Sequence, residues 1–201
     1  VVRLDGRGFT KFCDEHGFEK PNDVRALELA NHAARDVLVA HGGEFVLAYG
    51  QSDEYSFVLH ADATLFKRRR SKIESSVVSH FTACYVKYWH EHMGAATPLV
   101  GVPTFDARAV EYPSVETLLD YLFWRQADCH VNNLYNTCFW TLVQRGGDDK
   151  HAAQQRLSGT VAAQKQELLF ADYAINYNNV PAMFRKGSVI VRELVPARGG
   201  G

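Results

Sequence analysis

The chain has 201 residues, 46% hydrophobic and 22% charged, and Lys+Arg 22 against Asp+Glu 23 leave a net charge of -1. That is a folded globular composition, which excludes disordered, collagen-like and low-complexity architectures and a globally basic surface. The richest apolar stretch, Phe81 to Trp89, is short and carries Lys87, so nothing approaches the ~20 residues of a membrane span. In chain order, Val1 to Leu4 is a short β-branched run that ends at Asp5-Gly6. Gly6-Arg7-Gly8-Phe9-Thr10 then leads into a short helix. Asn22-Asp23 signals a helix start, and apolar residues at Val24, Leu27, Ala30, Ala34, Val37 and Leu38 keep close to a 3.6 period until Gly42-Gly43. Phe45 to Tyr49 and Tyr55 to Leu59 read as a hairpin around Gly50-Gln51-Ser52. A long helix is predicted from about Phe66 to Trp89. Beyond Pro98 and Pro103, Phe105 to Tyr112 reads as another strand. The order β-α-β-β-α-β is the ferredoxin-like split motif.

The second half changes character. Ser114 is a helix cap with Glu116 and Thr117 in the first turn, and the helix runs to about Gln144. A polar loop, Gly146 to Lys150, precedes helical stretches at Ala152 to Leu157 and Thr160 to Tyr173. An Asn-rich loop, Asn176 to Asn179, leads to a last strand, Ser188 to Leu194. The expectation is an α+β fold: a palm-like catalytic core over residues 1–112 and a helical lobe with a final strand over 113–201, packed as one compact unit. Cys13, Cys84, Cys129 and Cys138 form no CxxC pair and read as free thiols. With no signal-peptide pattern at Val1, the expected setting is intracellular and reducing, cytoplasmic or nuclear.

Asp5 ends the first strand, and Asp53 and Glu54 begin the third. In the split topology these strands are antiparallel neighbours, so Asp5 and Asp53 converge. Two carboxylates about 4–6 Å apart repel unless a cation lies between them, and oxygen ligands with room for water and phosphate suit Mg²⁺. That is the arrangement of two-metal nucleotidyl transfer. Taken singly, each Asp reads more readily as a turn former, and only the pair in this topology favours the metal. Glu54 alternates to the other face, as a third ligand or as a support. Gly6 to Thr10 lacks the third glycine of the dinucleotide fingerprint, yet its backbone N–H groups suit a triphosphate; the alternative is a flexible joint. Lys67, Arg68, Arg69, Arg70 and Lys72 are expected to open the second long helix near the carboxylates. Positive charge there opposes the helix dipole, so they contact phosphate or RNA, or form a solvated face. His130 to Thr137 packs one His, three Asn and a Tyr into a helix, either to read a nucleotide or as polar caps. His90 and His92 are two apart and diverge on a helix, so no zinc site is read there.

At these residues the chain resembles the tRNA(His) guanylyltransferase family in its eukaryotic form. Val2 to Phe9, Tyr49 to Phe57 and His130 to Thr137 carry the likeness, and Lys20 to Asp23, Phe66 to Arg69, Trp124 to Asp128 and Asn176 to Asn179 add to it. The resemblance implies a polymerase-palm-like core working in the opposite direction, adding a guanylate to the 5′ end of tRNA(His). ATP adenylylates the tRNA 5′ phosphate, the 3′-hydroxyl of GTP attacks it, AMP leaves, and pyrophosphate is finally removed. Carried over, Asp5 and Asp53 bind two Mg²⁺ with the Gly6 carbonyl, and Glu54 supports them. Asp5, Gly6, Arg7, Gly8, Phe9 and Thr10, with Ser52, cradle the GTP triphosphate beside Asp53. Lys20, Arg69 and Lys72 neutralise phosphate charge. His130 and Asn132 position the tRNA end, and Lys165 and Asn176 match polar positions important in the family. The chain departs from the family pattern at Thr10, where His is usual, and at Gln164 and Gln166, where Asp and Asn are usual. The family also implies a homotetramer. The alternatives are a 5′-end tRNA repair polymerase of the same family, a catalytically silent RNA-binding ferredoxin-like domain, and a nucleotide cyclase.

Overall fold

The computed structural model describes residues 1–193. Five strands form one antiparallel sheet: β1 (Val2–Gly6), β2 (Phe45–Gln51), β3 (Glu54–Leu59), β4 (Phe105–Ala109) and β5 (Ser188–Val191), in the spatial order β4-β1-β3-β2-β5. The first four keep the order and antiparallel pairing of the split motif, so the α+β architecture read from the sequence is the one observed. Two helices lie between β1 and β2: the short α1 (Phe9–Glu15) and the long α2 (Val24–Ala40). α2 starts where the sequence signals it. The Asp23 side chain accepts from the Arg25 N–H at 3.0 Å and from the Glu19 N–H at 3.1 Å.

Period-two alternation in the strands divides the sheet into two faces. Val2, Leu4, Tyr55 and Phe57 point to the face covered by α2 and by α3 (Arg70–Met93), where they pack with Phe81, Tyr85 and Trp89. Arg3, Asp5, Glu54 and Ser56 point to the other. That face is covered by α4 (Val115–Gln144), from which the Tyr121 hydroxyl meets Ser56 Oγ at 2.6 Å. The Ser114 cap of α4 is as expected, with the Thr117 N–H donating to Ser114 Oγ at 3.2 Å. Further along, Leu134, Cys138 and Leu142 of α4 build a second, smaller core with α5 (Lys150–Leu157), α6 (Ala162–Tyr173) and Tyr177. A short helix, α7 (Ala182–Lys186), which the sequence reading did not include, leads into β5.

Several boundaries differ from expectation by a few residues, those of α3, β4 and β5 among them. The second long helix begins at Arg70 rather than Phe66, because Phe66, Lys67 and Arg68 sit in the left-handed region at φ 50–56° and break the helix before it starts. β4 stops at Ala109, whose N–H is taken by the Glu74 carboxylate at 2.7 Å. β5 ends at Val191, and Leu194 lies outside the described residues. The four cysteines are free thiols, and no helix among the described residues is long and apolar enough to cross a membrane.

Candidate active site

The end of β1 and the start of β3 meet as the topology requires. Asp5 pairs with Glu54 in the register, and Asp53 lies in the two-residue turn that closes the β2–β3 hairpin. Ser52 makes that turn by taking φ 52°. The Gly6 N–H donates to the Asp53 carbonyl at 3.1 Å. A Cβ on Gly6 would lie 2.6 Å from Asp53 Oδ2 and strike the Phe9 ring, so only glycine lets β1 approach the carboxylate this closely. Ser52 Oγ donates to Asp53 Oδ1 at 3.0 Å. Burial pushes the Asp53 carboxyl above its ordinary range, and the negative charges of Asp5 and Glu54 add to that; the Ser52 hydrogen bond opposes it. A half-buried acid pressed by like charges is short of a cation. The donors gathered here, two carboxylates and the nearby Gly6 backbone, are hard oxygens that fit Mg²⁺.

Glu54 is engaged differently. It is buried, and its Oε2 accepts from Arg3 Nη2 at 2.6 Å and from Arg125 Nη1 at 2.9 Å. Arg3 also reaches Asp5 Oδ2 at 2.9 Å, and Arg125 reaches Asp128 at 3.5 Å. Of the two roles expected for Glu54, these partners are those of a support. Arg125 received no role from the sequence. Its signal was a lone arginine in an aromatic stretch, and its partner lies 71 residues away.

The carboxylates open on a cleft of about 710 Å³ between the end of the sheet and the helical lobe. Among the expected residues, Asp5, Phe9, Thr10, Lys20, Ser52, Asp53, Glu54 and Asn132 line it. Gly6, Arg7 and Gly8 belong to the adjoining loop. The Gly6 and Arg7 N–H groups are already spent on the Asp53 and Thr104 carbonyls. A backbone cradle in this loop therefore falls to Gly8, Phe9 and Thr10, at the start of α1. Lys20 pairs with Asp14 at 3.0 Å and sits 5.8 Å from the Trp140 ring centre. Lys150, which the sequence reading passed over, reaches the same ring at 5.6 Å and also lines the cleft. Burial pushes the Cys13 and Cys129 thiols of the cleft wall up to about 11, so they are neutral bystanders.

The basic run is not where it was expected. Arg70 Nη2 donates to the Ala109 carbonyl at 2.5 Å, and Ala109 pairs with Val2, whereas Asp5 pairs with Asp106. Arg69 and Lys72 thus stand at the opposite end of the sheet from the carboxylates, exposed. Chain direction accounts for this: β3 starts beside Asp53 and ends at Leu59, and α3 begins after that far end. The His130 to Thr137 segment is helical, as predicted. Asn132 and Asn136 face the cleft, while Asn133 and Thr137 are buried. Asn133 Nδ2 donates to Asn22 Oδ1 at 2.7 Å, and the Tyr177 hydroxyl donates to Asn133 Oδ1 at 3.1 Å. His130 packs edge-on against Tyr177. Lys165 Nζ is tied to the Thr160 carbonyl and hydroxyl, both at 2.7 Å. Asn176 caps the turn at Tyr177–Asn179. His130, Lys165 and Asn176 do not line the cleft.

A palm-type sheet with paired carboxylates at the mouth of a nucleotide-sized cleft is the frame on which the comparisons fall. The family model "tRNAHis guanylyltransferase" matches residues 1–113, and the "Thg1 C terminal domain" matches residues 116–198. The tRNA(His) guanylyltransferase of Neurospora crassa is 56% identical over 194 residues, 96% of this chain and 66% of the relative. This chain thus spans about two thirds of that relative's length. The crystal structure of the Saccharomyces cerevisiae tRNA(His) guanylyltransferase superposes with a TM-score of 0.91 at 43% identity, over 95% of this chain and 84% of that one. Bacterial Thg1-like proteins in complex with ATP and with GTP superpose at 0.79 and 0.72. Their identities are 26% and 25%, covering 96% and 97% of this chain and 78% and 75% of theirs. The chain belongs to the tRNA(His) guanylyltransferase family.

Proposed function

We propose that this chain carries the site that adds a guanylate to the 5′ end of tRNA(His). The observation that supports it most directly is the approach of the Asp53 carboxylate to Gly6, with Asp5 alongside, at the mouth of the cleft. Membership of the family and the nucleotides bound by its bacterial relatives point the same way. In this reading Asp5, Asp53 and the Gly6 carbonyl would hold two Mg²⁺, which when bound would lower the negative charge of the triphosphates and of the departing group. Glu54, clamped by Arg3 and Arg125, keeps β1 and β3 in the register that sets the two aspartates. The amides of Gly8, Phe9 and Thr10, with Ser52, receive phosphate oxygens. Lys20 and Lys150 neutralise phosphate charge, and Tyr135, Phe139 and Trp140 give a base an aromatic wall to stack on.

The reaction that the family implies then runs in three displacements. The tRNA 5′ phosphate attacks the α-phosphorus of ATP and releases pyrophosphate. The GTP 3′-hydroxyl attacks the activated 5′ phosphorus and releases AMP. Water finally removes pyrophosphate from the added guanosine. Asn132, with His130 behind it, positions the tRNA end from the lobe side. We assign residues 1–112 to the chemistry and the lobe from residue 113 to the tRNA. Lys165 and Asn176 act on the tRNA from that lobe outside the cleft. Arg69 and Lys72, at the far end of the sheet, contact phosphate only where RNA extends past the cleft or where a second copy in the homotetramer brings them to it.

The test is incubation with 5′-monophosphorylated tRNA(His), Mg²⁺, ATP and labelled GTP, with a second tRNA alongside. Label on tRNA(His) alone is the expected result. Label on both tRNAs replaces this reading with the repair polymerase. Label on neither, from a chain shown folded by circular dichroism, overturns transfer by this chain.

A further inference from the structure

A second cavity of about 700 Å³ opens between α2, α3 and the β5 edge, and Met183 lines both it and the cleft. His32 of α2 faces His92 of α3 across it, with His32 Nδ1 3.0 Å from His92 Nε2. Glu91 Oε1 lies 3.8 Å from the same His32 nitrogen, and the three ligand atoms all fall within 4.8 Å of one another. Among the described residues this is the one such group of three, and none of its members lines the cleft that holds Asp5 and Asp53. A tetrahedral zinc with bonds of about 2.0–2.1 Å spaces its ligand atoms about 3.3 Å apart, so the observed spacings need only small side-chain adjustments.

We propose that His32, Glu91 and His92 bind a zinc-like divalent transition-metal ion. Two imidazoles and one carboxylate are a borderline donor set that selects Zn²⁺, Co²⁺ or Ni²⁺ over Mg²⁺. This sets the site apart from the all-oxygen donors of the cleft. The His32 ring is already oriented, stacked on Tyr88 with centroids 3.7 Å apart at 9°. The Tyr88 hydroxyl in turn bonds Asp36, so the ring's support is fixed from behind. The site sits in the last turn of α3, where unpaired carbonyls favour positive charge. The proton now shared between the two facing nitrogens moves to the outer nitrogen of its own ring. Both lone pairs then face the metal, and no proton is released. Glu28, one turn before His32, lines the same cavity and is placed to hold a water or a fourth ligand position. The ion cross-links α2 to α3 and leaves the chemistry of the cleft untouched.

The test is a Zn²⁺ titration of the whole chain in millimolar Mg²⁺, followed by calorimetry and by melting temperature, with Co²⁺ in place of Zn²⁺ for its visible d–d absorption. We expect one equivalent bound, a rise in melting temperature and a low-symmetry Co²⁺ spectrum. In His92→Gln the affinity should fall by more than the ~10–100-fold that losing an outer-shell partner costs. A His41→Gln, His80→Gln variant, altered at the neighbouring histidine pair, should keep the affinity. No binding by the folded chain overturns the proposal. So does binding that His32→Gln and His92→Gln leave unchanged, since the metal would then sit elsewhere, at thiols or surface histidines.

Discussion

The two faces of β1 and β3 are built on opposite principles. The face toward α2 and α3 is apolar and aromatic throughout, with Val2, Leu4, Tyr55 and Phe57 closed over by Phe81 and Tyr85. The face toward α4 is covered too, in part, but it carries Arg3, Glu54 and Ser56, which Arg125 and Tyr121 of α4 meet by an ion pair and a hydroxyl contact. The first face holds the sheet together without directing it. The second is directional. Its bonds run from one lobe to the other and end beside Asp5, so they set where the lobe stands over the carboxylates. Buried Arg3 Nε, Glu54 Oε1 and Arg125 Nε have no partner among the described residues, which marks this face as the costlier one for stability.

That contrast can be broken by mutation. Phe57→Ala and Arg125→Ala should each destabilise by ~3–5 kcal/mol, the first through a cavity and the second by removing one of the two arginines that pair buried Glu54. Urea unfolding would measure both. Converting all three charges together, with Arg3→Met, Glu54→Leu and Arg125→Met, should recover most of the lost stability while guanylate transfer stays low. A triple variant with normal transfer would show that the polar face does not position the site. Next in size is Asp53→Asn. It should lower transfer by about 10²–10³-fold or more. Because the Asp53 carboxyl titrates above its unfolded value, its charge costs the metal-free fold stability at neutral pH. The Asn variant should therefore melt higher without Mg²⁺ and lose the rise that Mg²⁺ gives the parent. The smallest effect is at the α2 cap. Asp23 would be raised by burial alone, but hydrogen bonds from Arg25 and the Glu19 N–H hold it below its ordinary value. Asp23→Ala should cost ~0.5–2 kcal/mol at pH 7. A depressed acid contributes above its unfolded pKa and loses that contribution as pH falls through the folded one. The gap between parent and variant, measured by melting, should therefore close below about pH 4.

The sequence was most legible where periodicity and caps act locally. Asp23 and Ser114 start their helices as read, and alternation in β3 sends Glu54 away from the core face. The convergence of Asp5 and Asp53 follows from topology alone. What escaped depends on long-range geometry. Phe66 to Arg68 carry no Gly or Pro to signal a left-handed break, so the apolar pattern alone extends the helix four residues too far toward the hairpin. The basic run is near the hairpin in sequence, but the direction of β3 carries it to the other end of the sheet. Arg125 and Glu54 lie far apart in the chain, and Lys150 reaches Trp140 only once α5 folds back on α4. His32 and His92 come from different helices, so spacing along either one reveals nothing of their meeting.

The strand order has a mechanical corollary. The chain leaves the sheet for the helical lobe from β4, at one edge, and returns to it through β5, at the other. The lobe is an arch with an abutment on each side of the palm. Widening the span beneath it strains both footings at once, so the lobe resists swinging off the palm in the way that a jaw hinged on one side would open.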